Sequence, residues 1–580
     1  MIETSKETPL DSLRHSCAHV LAQAVQDLYP GTRLTIGPPV EDGFYYDFES
    51  AHHFTEEDLP KIEMRMQEII KGDHPFVMST HASAESRKFW EERGEKYKVE
   101  MIDDLKTDTV THCSHDTFVD LCRGGHVEST KVLRHFKLLK ISGSYWRGDE
   151  KRAQLQRIYG TAWPTKDELH KYLNRLEEAK KRDHRELGPR LGLFTMIPDR
   201  IGPGLIFWLP KGATVRAIIE NYLHELLERN GYQFVVTPHI ARVDLWKTSG
   251  HWDFYRENMF SPMKVEDQDY LLKPMNCPGH IHIFKHQLHS YRELPLRITE
   301  MGTVYRYERS GVMHGLLRVR GFTQDDAHIF CRPDQIEPEV THILNLTFEV
   351  LATFGFKEYV VRLSTRPKEF VGEVENWDRA TAALKAALDS RGLKYEVDEG
   401  GGAFYGPKID VAIRDALGRE WQCSTVQVDF NLPERFDVSY RAESGKDERA
   451  IMVHRALLGS LERFIGILIE HHAGAFPMWL APVQIALLSI TERSAGYLEE
   501  WQKKLRDKEY RVMLDNRNEK INLKVREATL QKIPYLLVAG DREVDANTIS
   551  VRSLAGENLG VFAWEDLLKR FDEQILSRQG

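Results

Sequence analysis

No CxxC pair occurs anywhere in the 580-residue sequence, and its six cysteines (Cys17, Cys113, Cys122, Cys277, Cys331, Cys423) follow no framework spacing. This excludes a disulfide-stapled secreted domain and predicts reduced thiols in a cytoplasmic protein. The opening residues, MIETSKETPLDSLRHS, lack the apolar centre of a signal peptide. No apolar run approaches the ~20 residues needed to span a bilayer, so no membrane partner is expected. The pattern GxxxxGK(S/T) is missing, which rules out a P-loop as the means of holding phosphates. A surplus of positive charge is missing too: 79 Lys and Arg stand against 88 Asp and Glu, for a net charge of −9. Non-specific nucleic-acid binding through a wholly basic surface is therefore excluded, while a local basic patch is not. What is present is ample apolar material, 41% of residues, with no low-complexity tract. At this length, roughly three or four domains are expected.

The segment 304–330, VYRYERSGVMHGLLRVRGFTQDDAHIF, is the most unusual. Read at the two-residue period of a strand, it puts Arg318, Arg320, Phe322, Gln324, Asp326 and His328 on one face. The opposite face would carry Val319, Gly321, Thr323, Asp325, Ala327 and Ile329. Arg306 and Glu308, two apart, are expected on a preceding strand. A solvated edge hairpin would tolerate such charges. The flanking apolar runs instead suggest a central strand, and the polar row suits an anionic, planar ligand.

In chain order, 13–28 has helical spacing, and it sets His15 and His19 at i and i+4 on one side. DLCRGGH later supplies Cys122 and His126, again four apart. These four residues are equally a tetrahedral zinc set or a proton-shuttling hydrolytic site. The stretches YKVEMI and SGSYWRGD read as strand and turn. Residues 166–187 read as a charged linker helix ended by Gly188-Pro189. Residues 213–229 form a helix closed by Asn230-Gly231, followed by the strand YQFVVTPHI, and Cys277 precedes a helix opened by Pro278-Gly279. Further helices are expected at 337–354 and 377–391, with strands at 359–363 and 420–430. Strict alternation on the last puts Gln422, Ser424 and Val426 on one face. In the apolar helix ALLGSLERFIGILIE, Arg463 has Gly459 and Gly466 at i−4 and i+3, the sign of a ligand clamp with space beside it. After 476–482 the strands QIALLSI, YRVMLD, YLLVAG and TISVRS alternate with helices, predicting a compact α/β unit with a largely parallel sheet.

The pieces RYE, RVRGFTQDDAH, KPMNCPGH and GSLERF, with the paired HxxxH and CxxxH elements, closely resemble the class II aminoacyl-tRNA synthetases and, more narrowly, the threonyl-specific family among them. The likeness runs from about His15 to the end of the chain. It implies an α+β multidomain fold: an editing domain (1–163), a linker helix (164–193), a class II catalytic domain on an antiparallel sheet (194–478), and an α/β anticodon-binding domain (479–580). The chain starts almost at the editing region, so the implied form lacks the family's small N-terminal domain.

The implied activity is threonine–tRNA ligation: ATP and threonine give threonyl-adenylate, and the acyl group passes to tRNA(Thr). By this likeness Arg306 and Arg463 hold phosphates, and Glu308, Arg318, Phe322 and Gln422 complete the ATP site, with Mg2+ accompanying the nucleotide. Cys277, His328 and His454 are the implied zinc ligands, one ion per subunit, leaving a position open for substrate. Gln324, Asp326, Tyr405 and Gln427 surround threonine, and Lys408 and His251 stand near the reacting groups. A hydroxyl-reading site rejects valine strongly, but serine lacks only a methyl group, worth about 1–3 kcal/mol, so hydrolytic editing is required. His15, His19, Lys98, Asp120, Cys122 and His126 match the editing residues, with no metal required. Gly125 stands where a proline is usual in that element and is expected to loosen its loop. Asn518, Lys520, Glu543 and Arg552 match anticodon-reading positions. Pro238 matches the dimer-forming motif, implying a homodimer. A non-catalytic RNA-binding relative of the same fold is the alternative. Such proteins typically lose a phosphate arginine or a metal ligand, and none of these is missing here.

Overall fold

The computed structural model describes residues 8–578. They form two compact units, divided between Glu177 and Glu178, inside the helix Lys166–Arg182. No helix among the described residues is long and apolar enough to cross a membrane.

The first unit is organised on the helix Pro9–Leu28, which starts cleanly because Thr8 and Asp11 form a capping box and proline occupies its first turn. Its Cys17, Ala18, Val20 and Leu21 are fully buried. They pack with the helix Leu59–Lys71 against a sheet whose main strands are Gly43–Glu49, Gln154–Ala162 and Phe136–Tyr145. A second sheet pairs Val77–Ala82, Thr109–His115 and Phe118–Leu121 antiparallel. Its last strand delivers Cys122. The segment YKVEMI, expected as a strand, lies in the helix Lys96–Leu105. Burial of Tyr97, Lys98 and Ile102 follows a helical period there, which the short sequence window did not resolve.

The charged helix ends at Arg182, not at Gly188-Pro189, because Asp183 caps a new helix, His184–Arg190 (α1), that contains the proline. The core of the second unit is an eight-stranded sheet. Its strands are Tyr232–Phe234 (β1), Leu296–Tyr305 (β2), Gly321–Cys331 (β3), Tyr359–Ser364 (β4), Glu396–Asp398 (β5), Lys408–Arg414 (β6), Glu420–Asp429 (β7) and Ile451–Ser460 (β8). They lie in the order β1-β2-β3-β8-β7-β6-β4-β5, antiparallel throughout the centre and parallel only at the two outer pairs. The helices Cys277–Phe284 (α2) and Leu461–His471 (α3) flank the site. The strand YQFVVTPHI stops at Phe234, and Ile240–Arg242 belongs to a separate small sheet.

The five C-terminal strands, Val512–Asp515, Ile485–Ser489, Tyr535–Ala539, Ile549–Ser553 and Asn558–Phe562 in spatial order, are parallel over the first three and antiparallel over the last two. The expected largely parallel sheet is thus only half parallel. The strand Asn558–Phe562 and the closing helix Trp564–Ser577 were not expected.

Candidate active site

Cross-strand register explains how distant residues meet. On β3 and β8, His328 lies directly opposite His454, and across β7 and β8 His454 lies opposite Gln427. One step along, Asp326, Ala456 and Thr425 form a second row. Residues two apart point to the same face, so both rows open on one cavity of about 550 Å³. Of the residues expected at the core site, Arg306, Glu308, Arg318, Phe322, Gln324, Asp326, His328, Tyr405, Gln422, Gln427, His454, Cys277 and Arg463 all line this cavity.

His251 and Lys408 do not line it. His251 is fully buried, with Nδ1 2.8 Å from Ser249 Oγ and its ring packed beside Phe404 and Tyr405. Burial lowers its pKa to about 3. Lys408 is paired with Asp410 at 2.6 Å, and it faces Gln427 across β6 and β7.

Three local expectations need correcting. Arg306 and Glu308 follow β2 in a loop, and Arg318 and Arg320 precede β3, so the polar row begins on a strand only at Phe322. Glycines at 311, 315 and 321 punctuate this stretch and break the alternation. On β7 a bulge leaves Cys423 outside the register, with Ala412 opposite Gln422 and Val411 opposite Ser424. Gln422 therefore shares the cavity with Thr425 and Gln427, while Ser424 and Val426 turn into the core. Arg463 does reach the cavity, but its glycines serve other neighbours. A Cβ at Gly459 would lie 2.7 Å from the Cys423 carbonyl oxygen, and one at Gly466 would lie 3.1 Å from Leu316 Cβ.

The end of the cavity nearest Phe322 is cationic and aromatic. The Arg306 guanidinium lies 5.1 Å from the Phe322 ring centre and donates to the Pro274 carbonyl at 3.3 Å. Arg463 donates from Nε to the Leu317 carbonyl at 3.1 Å, and Arg318 meets Glu308 at 2.9 Å.

At the other end, the ligand atoms of Cys277, His328 and His454 lie within 4.8 Å of one another. Each imidazole is held from behind. His328 Nδ1 lies 2.8 Å from His280 Nδ1, and His280 Nε2 lies 3.2 Å from Glu300. His454 Nε2 lies 2.9 Å from Asp429, whose other oxygen accepts the N–H groups of Asn431 and Leu432. Burial would raise the Glu300 carboxyl, but hydrogen bonds from His280 and Thr237 and the charge of Lys273 hold it at about 2. Burial drives His328 well below the usual imidazole range and the Cys277 thiol well above the usual thiol range. Two imidazoles held by rear partners and a buried thiol, which a bound cation would hold as thiolate, are a donor set that fits a divalent metal. Asn276, donating to Asp326 at 3.0 Å, and the supports Glu300, His280 and Asp429 were not singled out from sequence. Asp429 was within reach, two residues beyond Gln427 on the same face. Asp325, next to Asp326, points away: it accepts from Arg455 and the N–H groups of Leu457, Leu458 and Gly459.

In the first unit His15, His19, Lys98, Asp120 and Cys122 line a cavity of about 820 Å³. Cys122 Sγ lies 3.1 Å from His126 Nε2 and 3.6 Å from His15 Nε2. Ser16 Oγ donates to the Ser12 carbonyl at 2.8 Å, so it accepts from His126 Nδ1 at 3.1 Å, leaving Nε2 as a base beside the thiol. Burial, with His15 and His115 nearby, lowers His126 to about 3. Lys98 pairs with Asp120, which accepts from Tyr46 at 2.6 Å and lies 3.7 Å from His19. Gly125 has φ +80° and Gly124 φ +104°. A proline, fixed near −65°, is barred from that backbone at 125.

In the C-terminal sheet Asn518 and Lys520 follow the edge strand Val512–Asp515 and Glu543 follows the central strand Tyr535–Ala539, while Arg552 is exposed within its strand. The Glu543 carboxylate also accepts the Gly540 N–H at 2.8 Å and so caps its helix.

Comparison with known proteins matches residues 109–159 to the threonyl and alanyl tRNA synthetase second additional domain. Residues 260–472 match the class II tRNA synthetase core domain (G, H, P, S and T), and 483–574 match the anticodon-binding domain. A threonine–tRNA ligase of Nitrosococcus oceani is 54% identical over 571 residues, covering 98% of this chain and 88% of that protein. The chain belongs to the threonine–tRNA ligase family. A family member from Dehalococcoides mccartyi is 52% identical over 554 residues, with 96% of this chain and 95% of that one covered. Among solved structures, the RNA-binding domain of threonyl-tRNA synthetase from Cryptosporidium parvum Iowa II is 41% identical with a TM-score of 0.65, covering 68% of this chain and 98% of that one. A putative threonyl-tRNA synthetase from Aeropyrum pernix is 31% identical with a TM-score of 0.61, covering 68% and 97%. The class II core expected of this family coincides with the antiparallel sheet and its cavity.

Proposed function

We propose that this chain is a threonine–tRNA ligase that activates L-threonine with ATP, transfers it to tRNA(Thr), and hydrolyses seryl-tRNA(Thr) in its first unit. One observation carries the reading: register on β3, β7 and β8 puts Phe322, Gln324, Asp326, His328, His454 and Gln427 on one cavity with Arg306 and Arg463. Adenine stacks on the Phe322 ring, and Glu308, released from Arg318, accepts from the adenine amino group. Arg306, Arg318 and Arg463 hold the phosphates, with Mg2+ sharing their charge and Gln422 at the cavity rim. A threonine carboxylate oxygen attacks the α-phosphorus and pyrophosphate leaves. Preorganised guanidiniums stabilise the charge that develops.

Asp326, Gln324, Gln427 and Tyr405 orient threonine. Cys277, His328 and His454 are proposed to hold Zn2+, which would supply a Lewis-acid site for the substrate amino and hydroxyl groups and so favour threonine over valine. His280, Glu300 and Asp429 fix the ligand rings. Lys408, through Asp410, and His251, behind Tyr405, support the site from its walls.

In the first unit the water that attacks the seryl ester gives its proton to His126 Nε2, which returns it to the departing ribose oxygen of the tRNA; Cys122, His15 and His19 surround that water, and Lys98 with Asp120 fixes the site. Residues 1–163, 164–193, 194–478 and 479–580 are proposed as editing, linker, catalytic and anticodon-binding segments. Asn518, Lys520, Glu543 and Arg552 would read the anticodon. Val236 at 89% and Ile240 at 46% exposure flank Pro238, which supports a homodimer through this surface. The setting proposed is the cytoplasm. Aminoacylation measured with threonine and serine, each with and without tRNA, tests the reading. Threonine-dependent pyrophosphate exchange and transient seryl-tRNA are expected; absence of exchange with pure threonine, ATP and metal-loaded protein sinks it.

A further inference from the structure

His184 is fully buried, and the reaction as described does not use it. It stands at the first position of α1, and both of its ring nitrogens are engaged. Nδ1 lies 2.6 Å from Glu470 Oε1 on α3, and the His184 backbone N–H donates to the same oxygen at 3.2 Å. Nε2 accepts the backbone N–H of Leu316 at 2.9 Å. A backbone N–H can only donate, so Nε2 is the acceptor and Nδ1 carries the hydrogen given to Glu470. Asp183, His184 and Glu470 offer ligand atoms within 4.8 Å of one another, yet with both ring nitrogens committed they do not form a metal site.

The chain around the ring is shaped to admit it. At Gly315, φ +53°, a Cβ would lie 2.1 Å from His184 Nε2, and at Gly466 one would lie 3.6 Å from His184 Cδ2. Glu470 is paired in turn with Arg419, whose guanidinium lies 5.3 Å from the Trp421 ring, next to Gln422. The loop that His184 holds by its backbone supplies two contacts to the cavity. The Leu317 carbonyl accepts Arg463 Nε at 3.1 Å, and Arg318 meets Glu308 at 2.9 Å.

We propose that His184 is a positioning residue for the ATP end of the cavity: it ties the 313–318 loop to α3 and thereby sets the direction of the Arg463 guanidinium. This rests on the ATP reading given above. Without the ring, the Leu316 N–H is buried and unpaired, and the loop is free to carry the Leu317 carbonyl away from Arg463.

Two conservative variants separate the two hydrogen bonds. The carboxamide of His184→Gln reaches the place of Nε2, so its oxygen can accept from Leu316. That of His184→Asn reaches only the place of Nδ1 and serves Glu470. In threonine-dependent pyrophosphate exchange by the full chain, His184→Asn and His184→Ala should raise the KM for ATP about tenfold. His184→Gln should stay within about threefold, and the KM for threonine should hold in all three. Seryl-tRNA hydrolysis by the same preparations should not change. Equal ATP constants for the Asn and Gln variants overturn the proposal, as does a parallel change in the ATP and threonine constants. Direct ATP titration by calorimetry runs beside these assays. A parent protein that binds ATP with this order of variants but does not exchange overturns only the ligase reading. One that binds no ATP overturns both.

Discussion

Two clusters in this molecule draw on the same residue types and are built for different work. Cys277, His328 and His454 stand in front of a carboxylate-anchored shell: Glu300 orients His280, His280 orients His328, and Asp429 orients His454. Around Cys122, His126, His15 and His19 the support is of another kind. The rear nitrogen of His126 meets a serine hydroxyl, the thiol touches two imidazoles directly, and the nearby Asp120 is already paired with Lys98. Carboxylate support raises ligand basicity and suits a cation. A thiol against a neutral imidazole acceptor suits movement of a proton. Composition alone makes the clusters look alike; what stands behind the rings separates them.

The largest test of this contrast is removal of a ligand from each cluster. Cys277→Ser or His328→Ala should lower threonine-dependent exchange by about 10³ or more and leave seryl-tRNA hydrolysis intact. A chelator should do the same to the unsubstituted protein; hydrolysis that falls together with exchange on metal removal would erase the distinction. Cys122→Ala is the mirror experiment, expected to cost about 10²–10³ in seryl-tRNA hydrolysis with exchange unchanged, seen as accumulated seryl-tRNA. A variant as accurate as its parent would remove Cys122 from editing.

The supporting shell predicts a smaller effect. Glu300→Gln should weaken zinc retention about 10- to 100-fold, read by competition with a chromogenic chelator. Retention equal to the parent would leave the shell without a function.

The smallest effect is in stability against pH. Burial lowers His112 and His115 to about 4 and His126 to about 3, so these rings stay neutral in the folded protein while the unfolded chain protonates near 6.5. The unfolded state then binds more protons, and stability falls as pH drops from 6.5 toward 4, by roughly 1 kcal/mol per pH unit for each histidine. Residues 479–580 contain no histidine. Amide exchange on the intact chain should therefore show the first unit opening more readily at pH 5 than at pH 7, with little change from this cause in the C-terminal sheet. Equal sensitivity in both regions would contradict the burial argument.

Much of this was legible in the residue order, for particular reasons. Helices with a continuous apolar stripe, such as Pro9–Leu28 and Ile336–Thr353, announced themselves by spacing. Phe322, Gln324, Asp326 and His328 shared a face because β3 pairs without a break with β2, even though its register with β8 shifts between Gln324 and Asp326. The alternation failed where the backbone departed from its period: at the glycine-bearing 306–320 loop, and at Cys423, where one extra residue exchanged Ser424 and Val426 for Thr425 and Gln427. The zinc set came only from the likeness to a family. Cross-strand register over more than a hundred residues brings His328 to His454, Cys277 joins them from the start of α2, and no local spacing encodes the set. Glu300 and His280 were invisible for the same reason, whereas Asp429 follows from the alternation that carries Gln427.

The bulge at Cys423 makes β7 unusually sensitive to changes in length. Most substitutions at Cys423 itself alter one side chain, but deleting any single residue between it and Asp429 would restore an unbroken ladder. Deletion of Val428, for example, would carry Thr425 and Gln427 onto inward-facing positions and turn Ser424 and Val426 toward the cavity. Among natural or engineered variants, 420–429 should therefore tolerate exchanges of residue far better than any change in their number.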